Sequence, residues 1–399
     1  MEPKAICGRV VTPLGVLEEG TVLLREGRIE GVIRGHSTPS GYVVDEYHGM
    51  MIFPGLIDLH IHGALGEDAT DSHPGGLMKV ARFLAGHGVT AFLPTTMSER
   101  FNTLLSSVRN IKEVMKNQAE GAQIVGIHLE GPYLAPERKG AHNPAYLKHP
   151  VKEEIGRLLE AGEGAIRRVT LAPDLPGGLD AVEYLASRGI VVSLGHSKAD
   201  YKTAMAAWHR GARMITHLFN AMDPLHHRIP NLLAFALSFE GIWCEMIADG
   251  VHICPEVMEV ALRSADKRLF LVSDAVRPAG LGDGSYSLGG EEMEVQSGVA
   301  RIRTTGSLAG STFTLNRMLG LLAERFSLSL SQLAVMGSLL PARVLGESEE
   351  RGSIEAGKRA DIAVYDERFR CLATYRGGKR VYFHLENEKG NDGTWNHGK

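Results

Sequence analysis

The 399-residue chain predicts an α/β protein built around a (β/α)8 TIM barrel. Two observations carry this expectation: a repeating rhythm of short apolar runs and longer helical stretches, and acidic residues or histidines where those runs end. The run ends fall near His62, Thr95, Glu130, Ala172, His196, His217, Asp249 and Asp274, separated by 21 to 42 residues. Each interval has room for one helix and its two turns, the spacing of βα units. Runs such as RLFLVSD and IVVSLGH are apolar without alternation, as strands covered on both faces must be. Eight such units close into a barrel whose reactive residues gather at the C-terminal ends of the strands.

The ends of the chain have a different texture. VVTPLGVLEEG, TVLLREGRIEGVI and YVVDEYHGMMI read as short strands broken by glycines and charged pairs. The same pattern returns from about Gly352 in GSIEAGKRADIAVYDERF and then RVYF. Residues 1–50 and 350–385 are therefore expected to form one small, discontinuous β-sandwich domain docked on a barrel of residues 51–349. Within the barrel segment, residues 277–305 break the rhythm: SYSLGG, EEMEV and VARIR predict a β insertion after the eighth strand, placed as a lid or wall. Residues 386–399 are polar and aperiodic and read as a disordered tail.

Apolar residues make up 44% and charged residues 23% of the chain, which suits a globular protein with a large core. The net charge of −4 provides no broad positive field for nucleic acid or an anionic membrane. Recognition of any anion must be local. Cys7, Cys244, Cys254 and Cys371 form no CxxC pair and suggest no disulfide framework. No apolar run reaches the ~18 residues of a membrane span, and the first residues lack the pattern of a secretory signal. The expectation is a cytoplasmic protein with neither a membrane nor a nucleic-acid partner.

The chemistry concentrates in five segments. In FPGLIDLHIHG, side chains alternate along the strand, so Asp58, His60 and His62 share one face. Two imidazoles two residues apart can both reach one ion. Glu130 ends the strand of IVGIHLEGPYL, where a carboxylate is costly unless something positive meets it. His196 ends VVSLGHS and His217 lies in MITHLFNAM, on successive strands. Asp274 closes LFLVSDA, and a buried carboxylate there needs a metal, a cation or a raised pKa. Imidazole and carboxylate are the ligands suited to zinc and ferrous iron.

At these residues the chain resembles the amidohydrolase superfamily. PGLIDLHIHG, GIHLEGPYLAPERKGAH, SLGHS, THLFNAM, ADGVH, VSDA and AGST are similar, in the same order, to the landmarks of the N-acetylglucosamine-6-phosphate deacetylases. That resemblance implies Glu130, His196 and His217 as ligands of a principal metal, with His60 and His62 holding a second. One or two divalent ions per subunit, zinc or ferrous iron, would follow. It implies Asp274 as general base and acid while a metal-bound water attacks the acetamide of N-acetyl-D-glucosamine 6-phosphate, releasing acetate and D-glucosamine 6-phosphate. It implies substrate contacts from Ala141, His142, Asn220, Ala221, Arg228 and His252, with Ser311 and Thr312 shaping the sugar pocket. An arginine loop that serves the neighbouring subunit implies a homodimer. The chain departs from the family in RIPN after Arg228 and in Asp174, where the family has Glu; neither removes an expected ligand.

Rival readings leave different marks. The cyclic-amide hydrolases of the superfamily bridge their metals with a modified lysine at the fourth strand, and TLAPD has no lysine. A deacetylase for N-acetylgalactosamine 6-phosphate would differ at the configuration of one hydroxyl. A non-catalytic scaffold would show gaps among the ligand and base positions, and here all are filled.

Overall fold

In the computed structural model, which describes residues 2–35, 37–71 and 74–384, eight strands lie side by side in chain order. They are Leu56–Ile61, Val89–Thr96, Ile127–Glu130, Ile166–Leu171, Val191–Leu194, Ala212–Ile215, Trp243–Met246 and Leu269–Leu271. Every neighbouring pair is parallel. The sheet then closes on itself. The Asp274 N–H donates to the His60 carbonyl at 2.9 Å, and the His62 N–H to that of Ala275 at 2.9 Å. The segment expected to be a disordered tail, 386–399, lies outside the described residues.

Helices cover the outside of the barrel. The helix Pro74–Ala85 buries Leu77, Val80, Ala81 and Leu84, a spacing that draws one apolar stripe along a helix. Asp200 and Asn231 start two later helices by accepting the backbone N–H of Thr203 and Ala234, which satisfies donors a helix cannot satisfy itself. The barrel interior is more polar than aliphatic layers would make it. Asp58, His60, His128, Arg168, Thr170, Ser193, Thr216 and Glu245 are all fully buried. Hydroxyls of Thr170, Ser193 and Thr216 bond to one another at 2.6 and 2.8 Å, so these groups satisfy each other.

Both chain ends join one seven-stranded sheet. Val43–Pro54 pairs in parallel with Lys4–Thr12 on one edge and antiparallel with Ile362–Tyr365 on the other. The pairing register jumps from Cys7/Glu46 to Arg9/Met51, a bulge that bends a strand. Side chains from both halves of the sheet, Ile6, Val22 and Ile29 with Ile362, Val364 and Tyr375, meet in a core separate from that of the barrel. The sandwich is thus made from one continuous sheet.

After the eighth barrel strand, Gly284–Leu288, Glu291–Gln296 and Val299–Ile302 form an antiparallel three-stranded sheet. Its buried face packs Leu288, Met293, Val295 and Ile302 against Met97 and Val276 at the barrel mouth. Among the described residues, no helix is long and apolar enough to cross a membrane.

Candidate active site

A cavity of about 230 Å³ opens at the C-terminal ends of the strands. His62, Glu130, Ala141, His142, His196, His217, Asn220, Ala221, His252 and Asp274 line it, and Leu288, Ser307 and Leu308 from the insertion and its return wall one side. His60 lies just beneath, fully buried. Beyond His60, three expected residues are not among those lining the cavity: Arg228 is exposed, Ser311 is buried with its hydroxyl on Asp249, and the Thr312 hydroxyl donates to the Gly298 carbonyl.

Three of the ionisable side chains among these sit on unusual backbone, as does Ala221 with a φ of 52°. His196, His217 and Asp274 have φ of 48°, 28° and 47°. Left-handed conformations at non-glycine residues cost about 1–3 kcal/mol each and persist where the surroundings impose them. Here they fall just past the strand ends, where the chain reverses with its side chain in the cavity.

Glu130 is the centre of the cluster. Its Oε1 lies 3.2 Å from His217 Nε2, 3.3 Å from His196 Nε2 and 3.4 Å from His60 Nε2. Its Oε2 lies 3.1 Å from His62 Nε2 and 3.2 Å from His142 Nε2. Asp274 Oδ1 is 3.3 Å from His62 Nε2 and 3.4 Å from His60 Nε2. The Nε2 atoms of His60 and His62 are 3.3 Å apart, and those of His196 and His217 3.0 Å apart.

The other ring nitrogens decide what these atoms are. Nδ1 of His62, His196 and His217 faces the carbonyls of Thr95, Arg138 and Asn220 at 3.1, 2.7 and 3.2 Å. Nδ1 of His60 faces Glu245 Oε1 at 2.8 Å. Carbonyls and carboxylates only accept, so each Nδ1 carries a proton and each Nε2 faces inward, offering its lone pair wherever the ring is neutral. Four lone pairs and two carboxylates facing one another repel unless positive charge lies between them. With metal–nitrogen bonds of about 2.0–2.1 Å, the edge of a ligand tetrahedron is about 3.3–3.4 Å. The sets Glu130–His196–His217 and His60–His62–Asp274 match that edge to within 0.3 Å or better. The residues fit one ion in each set, with Glu130 shared.

His142 is different. The Ser98 backbone N–H donates to its Nδ1 at 3.1 Å, so its proton sits on Nε2 and points at Glu130. That tautomer makes it a donor toward Glu130, and burial pushes its pKa down to about 4, keeping the ring neutral.

The carboxylates are poised as anions. Burial alone would raise the pKa of Asp274, but the charge of His60 and the hydrogen bond with His62 bring it down to about 2. Burial likewise opposes charge on His62, and its hydrogen bonds to Asp274 and Glu130 overcome this and raise it to about 9. Both shifts express one fact: this cluster calls for positive charge.

His252 is held by Asp249. Asp249 Oδ2 accepts from His252 Nδ1 at 2.8 Å and from Ser311 Oγ at 2.8 Å, while Oδ1 accepts the His252 backbone N–H at 2.8 Å. The carboxylate raises the His252 pKa against the effect of burial. Three residues that the sequence reading passed over, Arg168, Glu245 and His128, lie directly below the mouth. His128 bonds Thr95 Oγ1 and Thr170 Oγ1 at 3.1 and 2.8 Å, and burial beside Arg168 holds it neutral. Glu245 sits in an apolar strand just as Glu130 does, and that was its available signal.

The chain belongs to the amidohydrolase family, whose model matches residues 51–391. Within it the chain is similar to N-acetylglucosamine-6-phosphate deacetylase of Vibrio furnissii, at 36% identity over 83% of both chains. It is also similar to N-acetylgalactosamine-6-phosphate deacetylase of Escherichia coli O157:H7, at 35% identity over 90% of this chain and 93% of that one. Among solved structures it matches N-acetyl-D-glucosamine-6-phosphate deacetylase of Mycobacterium smegmatis in complex with N-acetyl-D-glucosamine-6-phosphate. That likeness has a TM-score of 0.90 and 32% identity, covering 96% of this chain and all of the other.

Proposed function

We propose that the protein hydrolyses the acetamide of N-acetyl-D-glucosamine 6-phosphate to D-glucosamine 6-phosphate and acetate. The observation that carries this is the pair of ligand sets joined by Glu130, beside an ionised Asp274 and a neutral donor, His142. Glu130, His196 and His217 would hold the principal divalent ion, and His60, His62 and Asp274 a second; zinc and ferrous iron both suit these ligands. A divalent ion in such a site polarises a carbonyl and lowers the pKa of water.

The chain's own groups do the rest. Asp274, ionised at neutral pH, takes a proton from the attacking water and returns it to the departing amine. His142 Nε2–H, which faces Glu130 Oε2 at 3.2 Å, lines the cavity as a neutral donor, and such a donor within reach of an acetamide oxygen would stabilise the charge that develops there. His252, backed by Asp249, and the Asn220–Ala221 segment face the sugar end. Among the described residues, the cavity lining includes no lysine or arginine, yet a phosphate dianion calls for a cation. Arg228 lies on an exposed loop with Leu225 and Ile229, which are 58% and 66% exposed. A second copy of the chain that covers these apolar residues would deliver Arg228 to the cavity, so we read the working form as a homodimer in the cytoplasm. Residues 1–50 with 350–385 serve as the supporting domain.

N-acetylgalactosamine 6-phosphate is the second reading, favoured by the relative that carries that name. An acetate-release assay on metal-loaded protein separates them. We expect N-acetylglucosamine 6-phosphate to be turned over fastest, and its unphosphorylated sugar poorly. Faster turnover of the galacto epimer would reassign the substrate, and no acetate from either phosphorylated sugar would refute the activity.

A further inference from the structure

The four histidines with inward Nε2 atoms are not oriented alike. His62, His196 and His217 are each held by a neutral backbone carbonyl. His60 is held by a carboxylate, Glu245, on the seventh strand. Glu245 is fully buried, and both of its carboxylate oxygens meet partners. Oε1 accepts from His60 Nδ1 at 2.8 Å and also from the His217 backbone N–H at 2.8 Å. Oε2 lies 2.7 Å from Arg168 Nη1. Arg168 is fixed in turn: Nη1 donates to the Leu59 carbonyl at 3.0 Å, and Nη2 lies 3.3 Å from both Ser193 Oγ and Thr216 Oγ1.

This chain of contacts begins on the fourth strand and ends at one ring. A carboxylate behind a ligating imidazole fixes its tautomer and orientation and makes its free nitrogen a better donor. His217 touches the same oxygen only through its backbone, and its own ring is held by Asn220. The carboxylate therefore acts on the two halves of the site unequally.

We infer that Glu245, held by Arg168, is the positioning residue that lets the His60–His62–Asp274 half of the site retain its ion, while the Glu130–His196–His217 half does not depend on it. This rests on the reading of the cluster as a metal centre.

Two substitutions test it. Glu245→Asp keeps the charge beside Arg168 but withdraws the oxygen from His60. Glu245→Gln keeps the shape but sets an amide N–H₂ against either Arg168 or the protonated Nδ1. Each folded protein is stripped with a chelator, retitrated with Zn²⁺ against a competing chelator dye, and assayed for bound metal by mass spectrometry. We expect two ions per wild-type subunit. In the variants we expect one ion to lose about 10–100-fold in affinity, the usual cost of removing such a partner, and the other to be unchanged. Two ions held as in wild type would overturn the inference, as would equal loss of both in a folded variant. Failure of both variants to fold would place Glu245 in the scaffold and overturn it equally. A wild-type protein that binds no divalent metal would instead refute the metal reading itself.

Discussion

Five histidines around Glu130 look interchangeable in sequence, and their hydrogen-bond partners separate them. An acceptor at Nδ1 leaves the Nε2 of four of them free to take a metal, as proposed; the Ser98 N–H at Nδ1 makes His142 a donor. Replacing Asp274 by Asn should leave the ion of Glu130, His196 and His217 bound and lower kcat by about 10²–10⁴-fold or more, since both proton transfers are lost. Steady-state kinetics beside metal analysis check this, and near-wild-type turnover contradicts it. His142→Gln should lower kcat by about 10²–10³-fold with a smaller change in KM, the signature of a lost transition-state donor; a rise in KM alone would make His142 a binding residue only. His60, His62, Glu130, His196, His217 and Asp274 were legible because each interrupts or ends an apolar run. Arg168 was not, because it follows Arg167, and sequence does not tell which of two adjacent arginines turns into the barrel. Glu245 hid for a related reason: a charge inside a strand declares a need for a partner without naming it.

At the scale of elements, the alternation of strands and helices was legible and the strand limits less so. The expected ends at Asp249 and Asp274 lie beyond the paired segments, which stop at Met246 and Leu271. The ladder ends before the chain turns, and the reactive residues belong to that short overhang. The first helix illustrates how an element registers pH. In the turn after it, His87 packs edge-on to Phe83 at 4.5 Å, and burial holds its pKa near 4 against an ordinary 6.5. The unfolded chain therefore binds this proton more readily between these values. The stability it contributes is complete above pH 6.5 and is lost as pH falls toward 4. Thermal midpoints measured from pH 7 to 4 should fall in the wild type and fall less in His87→Gln. Parallel curves would remove His87 from the acid response.

At the scale of the whole molecule, the sequence announced a β unit made from both termini, but not that they join in one seven-stranded sheet with a register shift in Val43–Pro54. Pairing partners of distant strands leave no mark on local pattern. The loop of Arg228 poses a similar problem, since this arginine is exposed and is not among the residues lining its own cavity. If a second copy supplies it, Arg228→Ala should raise KM for phosphorylated substrate with less effect on the unphosphorylated sugar. Mixed dimers decide the geometry. Arg228→Ala and Asp274→Asn subunits, each impaired on phosphorylated substrate kept below its KM, should recover activity when unfolded together and refolded, because one site then has both residues. No recovery would place Arg228 within its own subunit.

The central claim is that six side chains from five strands converge on metal. Anomalous diffraction from crystals of zinc-loaded protein tests it most directly. The account expects one peak about 2.0–2.2 Å from Glu130 Oε1, His196 Nε2 and His217 Nε2, and a second against His60 and His62. Zinc-loaded crystals with no anomalous peak in the barrel mouth would contradict it.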